Sequence, residues 1–128
     1  MTTQTTEGVI ISVETFYQPA HSNVITNEFM FAYRITIGNQ SPYTVQLLTR
    51  YWHIFDSNGS EREVTGEGVV GQQPILEPGE SHTYVSGCHL RTDIGKMRGY
   101  YEMKRITDGS HFEVEIPEFA LVAPFKLN

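Results

Sequence analysis

Residues Gly66–Leu90 read GEGVVGQQPILEPGESHTYVSGCHL, and this stretch separates two fold classes. Gly66-x-Gly68-x-x-Gly71 has the spacing of a dinucleotide-binding fingerprint, which belongs to a βαβ unit whose helix N-terminus carries the pyrophosphate. Pro74 and Pro78 follow closely. Proline removes a helix donor and clashes with the preceding turn, so no helix starts here. Glu77-Pro78-Gly79-Glu80 instead puts Pro and Gly at the central positions of a type II turn. Beyond it, Ser81–Ser86 sets His82, Tyr84 and Ser86 against Thr83 and Val85, the alternation of a strand. The segment argues against a nucleotide-binding α/β fold and for an all-β chain.

Working outward, Asn27–Ile37 is the clearest strand. Phe29, Phe31, Tyr33, Ile35 and Ile37 share one face, with Met30, Ala32, Arg34 and Thr36 on the other, as in a half-buried antiparallel strand. Val9–Gln18 alternates in the same way, with Val9, Ile11 and Val13 on one side. Gly38-Asn39-Gln40-Ser41-Pro42 is a turn cluster. In Tyr43–Asp56 the inward set shifts phase, from Val45 and Leu47 to Trp52 and Ile54, which predicts a β-bulge near Leu48–Arg50. Asp56-Ser57-Asn58-Gly59 is a turn, and Glu61–Val64 a short charged strand.

Lys96–Ile106 and His111–Ile116 flank Thr107-Asp108-Gly109-Ser110, a hairpin signal. Phe112, Val114 and Ile116 face inward there, and Glu113 and Glu115 face water. Pro117 is expected to end that strand, leaving Phe119, Leu121 and Phe125 as a terminal apolar segment. Seven or eight strands without a helix predict an antiparallel two-sheet sandwich, with Phe31, Tyr33, Ile35, Trp52, Val114 and Ile116 in its core. No repeat or linker divides residues 1–128, so one domain is expected, with the polar residues 1–7 flexible.

A chain of 128 residues can bury a proper core without staples. Seven Phe and seven Tyr favour strands. The net charge of −6 argues against nonspecific nucleic-acid binding, which needs a basic footprint. Cys88 is the single cysteine, so no internal disulfide forms, which suits a reducing cytoplasm. No apolar signal-peptide core opens the chain and no apolar run reaches spanning length. A soluble, cytoplasmic protein without membrane insertion is expected.

Several long segments occur together and in order: Phe31-x-Tyr33-x-Ile35-x-Ile37, Gln46-Leu47-Leu48-x-Arg50-x-Trp52, and Gly66-Glu67-Gly68-Val69-Val70-Gly71-Gln72-Gln73-Pro74. Leu76-x-Pro78-Gly79-Glu80, Gly87-Cys88, Met97-Arg98-Gly99-x-Tyr101 and Phe112-x-Val114-x-Ile116-Pro117-x-Phe119 complete the set. Through them the chain resembles the bacterial ApaG proteins over nearly its whole length. The resemblance implies an immunoglobulin or fibronectin type III-like β-sandwich. It also implies a link to cobalt tolerance and magnesium efflux. Similar domains in larger eukaryotic proteins serve as interaction modules, and no enzymatic activity is settled for the family.

In Gly66, Glu67, Gly68, Val69, Val70 and Gly71, a phosphate-cradling P-loop would need Lys and Ser or Thr after the last glycine. Gln72 and Gln73 stand there instead. A nest of backbone N–H groups would suit an anion, but Glu67 opposes one. The bland reading is that the glycines supply positive φ and close backbone approach in a loop crossing between sheets.

His21, His53, His82, His89 and His111 form no close ligand pair, so no metal site or cofactor is assigned. Cys88 and His89 are strand neighbours and point apart. Gly79-Glu80-Ser81-His82-Thr83 lacks the second glycine of a nucleophile elbow and enters a strand rather than a helix. No catalytic residue is assigned. Trp52 reads as a core anchor. Arg50 either pairs with a carboxylate such as Glu67 or Glu102 or is presented at a site, and pairing is the preferred expectation because an unpaired buried charge is costly.

Three functions follow for testing. The favoured one is a non-catalytic protein-binding or regulatory module with a protein partner, self-association being compatible with it. The alternatives are binding or hydrolysis of a nucleotide or dinucleoside polyphosphate at the glycine loop, and metal-ion sensing.

Overall fold

Alternating apolar residues become the inner faces of two sheets. The computed structural model describes residues 1–124, with strands β1 (Thr2–Thr6), β2 (Val9–Tyr17), β3 (Phe29–Asn39), β4 (Val45–Asp56), β5 (Glu61–Glu67), β6 (Ile75–Leu76), β7 (Ser81–Leu90), β8 (Ile94–Arg105) and β9 (His111–Val122). One antiparallel sheet has the order β1-β2-β3-β7 and the other β5-β4-β8-β9, with β6 also pairing β4. This is an antiparallel two-sheet β-sandwich.

The six residues expected in the core are all buried. Trp52 stands edge-on to Tyr33 and Phe119, with ring centroids 5.5 Å and 5.8 Å away, a geometry that aromatic quadrupoles favour. The expected bulge lies in β4, where the register against β8 shifts between Leu47 and Thr49. The Pro78-Gly79 turn also forms: Gly79 has φ +89° and Glu80 N donates to Glu77 O at 2.9 Å.

Five details differ from the sequence reading. Thr2–Thr6, expected to be flexible, pairs antiparallel with Val9–Val13 and runs along β9, where Glu115 N donates to Thr6 Oγ1 at 3.3 Å. Strand β5 runs on through Gly66 and Glu67 instead of stopping at Val64. Strand β9 continues past Pro117, because the register against β8 shifts between Ile116 and Phe119. A bulge leaves one residue out of the ladder, so the missing proline donor costs nothing there. Asn39 is no plain turn residue. It is fully buried, donates to Tyr43 O and Leu76 O at 2.7 and 2.9 Å, and accepts from Ser41 N and Oγ. Finally, the glycine segment does not cross between sheets, since β5 and β6 both pair with β4. Phe125 lies outside the described residues.

Contact between β1 and β9 closes one flank of the sandwich. On the other flank β5 and β7 are sheet edges, and the candidate residues gather there.

Candidate functional site

Gly66 and Glu67 end strand β5, and the segment then closes on itself. Val69 N donates to Gln72 O at 2.8 Å and Gln72 N to Val69 O at 3.0 Å. Val70 (φ +47°) and Gly71 (φ +76°) are the two central residues. Two central residues at positive φ make a type I′ turn, which favours Asn or Asp followed by Gly. Here a valine holds the first place. A β-branched residue at positive φ is a genuine outlier. Val69 is buried in the core, whereas Val70 is 63% exposed.

The base of this tip is clamped to the β4 bulge. Gly68 N and Gln73 Nε2 both donate to Leu48 O, at 2.8 and 2.9 Å, and Leu47 N donates to Pro74 O at 3.1 Å. Gly68 has φ +62°, and a Cβ on it would fall on the Gln72 carbonyl. The amides of Gly68, Val69 and Gln72 thus already serve carbonyls. An anion would have to compete for them.

Arg50 shows where the carboxylate expectation fails. Its Nη1 donates to Glu67 O at 3.1 Å and to Gly68 O at 2.9 Å, and it forms no ion pair with Glu67 or Glu102 among the described residues. The register explains this. Arg50 and Gly66 are cross-strand partners on the inner face, while Glu67 lies opposite Thr49 on the outer face. Glu102 instead accepts from His111 at 2.7 Å.

Beside Arg50, a cleft of about 270 Å³ opens between β5 and β7. Arg62 reaches across its mouth, and its Nη2 donates to His89 O at 2.6 Å and lies 3.7 Å from Cys88 Sγ. In the core, the Tyr84 and Tyr101 hydroxyls share a hydrogen bond of 2.5 Å. Desolvation raises the pKa of both, and that of Tyr33, which Arg50 pulls weakly the other way. Burial pushes the Cys88 thiol up to about 11, against a weak opposing pull from Arg62. Cys88 is a buried strand residue with its neighbour His89 on the other face. Sequence reasoning had not singled out Arg62. Its signal was the alternation in Glu61-Arg62-Glu63-Val64, which places the arginine on the apolar side.

The histidines are dispersed. His53 pairs with Glu61 at 3.0 Å and His111 with Glu102. Among the described residues no three His, Cys, Asp or Glu side chains are placed to hold a metal ion. Ser81 begins β7 directly after the Pro78-Gly79 turn. Among the described residues no helix is long and apolar enough to cross a membrane.

Known proteins are similar to this chain in sequence and in fold. The ApaG domain model matches residues 19–105. Proteins named Protein ApaG from Brucella canis and Brucella anthropi are 50% and 52% identical over 119 residues, which cover 93% of this chain and 91% of theirs. A crystal structure from Bordetella pertussis, described as an ApaA protein, is 43% identical with a TM-score of 0.88 and covers 91% of this chain and 94% of its own. The X-ray structure of a structural genomics target has the same TM-score at 35% identity, covering 98% and 94%. A family model spanning most of the sequence, relatives at half identity and the shared sandwich lead to one conclusion: the chain belongs to the ApaG family.

Proposed function

We propose that the protein is a non-catalytic protein-binding or regulatory module of the cytoplasm and that it meets its partner through the Val70-Gly71 tip. One observation carries this reading: Val70 is both strained and exposed. Backbone strain of this kind costs about 1–3 kcal/mol and persists where function needs it. The fold gains little from the side chain, because most of its surface faces water. An apolar group held out on a clamped hairpin suits a partner's pocket, and the fixed base lowers the ordering cost of binding. Rigid β scaffolds commonly carry recognition on such loops.

The nucleotide reading is less well supported. Three tip amides and Arg50 Nη1 are committed to carbonyls, and Glu67 adds negative charge. The cobalt and magnesium link that the family resemblance implies is then an effect exerted through the partner, since among the described residues no three His, Cys, Asp or Glu side chains are placed to hold a metal ion.

The test is site-specific photocrosslinking. A photoreactive benzoylphenylalanine at position 70 should trap a discrete protein from a cell extract, and the same group at Val122 should not. Absence of a product at position 70, or identical products at both positions, would count against the proposal.

A further inference from the structure

We propose that the cleft between β5 and β7 binds a small organic carboxylate, gripped by Arg50 and Arg62. The first observation is a charge imbalance. Both arginines line the cleft, and no Asp or Glu does. Neither arginine has a carboxylate within ion-pair distance among the described residues, whereas Arg34 pairs with Glu14 and Arg105 with Glu7. The chain is acidic overall, so two cations left without a carboxylate in one cleft are a local reversal.

The second observation is the register that produces it. On β5, Arg62 and Val64 lie opposite Ile54 and Trp52, on the inner face. Glu61, Glu63 and Glu67 lie opposite Phe55, His53 and Thr49, on the outer face. The strand's own carboxylates therefore point away from the arginine between them.

The third is unused donor capacity. A guanidinium carries five N–H donors. Among the described residues, Arg50 uses only Nη1 and Arg62 only Nη2, on carbonyls and a sulfur. The remaining edges suit a planar carboxylate, which accepts two parallel N–H bonds. Tyr33 and Ser86 also line the cleft, and Trp52 and Val64 supply an apolar wall. That wall favours an organic acid with an apolar body over inorganic phosphate. This site is separate from the Val70 tip, and neither proposal depends on the other.

Benzoate is the probe, with inorganic phosphate as the competing anion, and the readout is the side-chain Nε–H resonances of Arg50 and Arg62 by NMR. Benzoate should shift both resonances saturably and raise the melting temperature. Affinity should fall by about tenfold or more in Arg62→Gln, the size expected for losing a charge-assisted pair. Backbone amide spectra establish that this variant is folded, and Arg50→Lys provides a second variant. Three results would overturn the assignment: no saturable shift at tens of millimolar benzoate, unchanged affinity in folded Arg62→Gln, or phosphate binding as tight as benzoate.

Discussion

The guanidinium of Arg50 occupies the space that a side chain at Gly66 would need. A Cβ on Gly66 would stand 2.8 Å from Nη1 and 2.9 Å from Nη2. The two residues are cross-strand partners, and the side chain that crosses over Gly66 goes on to hold the carbonyls of Glu67 and Gly68. The three glycines of the motif therefore have three different duties. Gly66 makes room for a side chain, Gly68 makes room for a carbonyl at positive φ, and Gly71 supplies positive φ in open space.

These duties predict an order of cost for alanine substitution. Gly68→Ala meets backbone that cannot yield and should lose more than about 3 kcal/mol. Gly66→Ala displaces a flexible side-chain end and its carbonyl bonds, costing about 1–2 kcal/mol. Gly71→Ala suffers backbone strain alone, about 1 kcal/mol. Urea unfolding of the three variants measures the order, and a Gly68→Ala protein as stable as Gly71→Ala would refute it.

Cys88 should make the fold sensitive to alkali. Its folded pKa is raised to about 11 from an ordinary 9.0. Between those values the unfolded chain releases a proton that the folded protein keeps, so stability is complete below about pH 9 and falls as pH rises toward 11. The loss from this group is about 2–3 kcal/mol. Buried Tyr33, Tyr84 and Tyr101 act in the same direction, so Cys88→Ala isolates the thiol and should flatten the pH slope. Iodoacetamide should label native Cys88 slowly near neutral pH. Rapid labelling there would show an accessible thiolate.

Titration calorimetry addresses the nucleotide alternative. ATP and dinucleoside polyphosphates should give no saturable heat, because the tip amides are engaged and Glu67 repels phosphate. Saturable micromolar binding of either ligand by the native protein would revive a phosphate site.

Much of the fold was legible because each sheet of a sandwich has one dry face. Phe29 to Ile37 alternate for that reason, and the phase change after Leu47 revealed the bulge. Features set by main-chain bonding left weaker marks. Thr2–Thr6 forms an edge strand with almost no buried side chains, so its composition carries no period. Pro117 sits where a bulge spares its missing donor, a compensation invisible locally. Arg50 finds carbonyls, which every residue offers and no residue type signals. The type I′ turn went unread because Val70 stands where Asn or Asp is expected, and that mismatch is also what draws attention to the tip.

Substituting Val70 with Asn tests the central claim most directly. Asparagine tolerates positive φ, so Val70→Asn should raise stability by about 1 kcal/mol while removing the apolar group. Retention of partners from a cell extract is then compared between the two proteins by quantitative mass spectrometry. The account predicts a protein held by the native chain and lost from the more stable variant. An identical retained set, or a variant no more stable than the native chain, would contradict it.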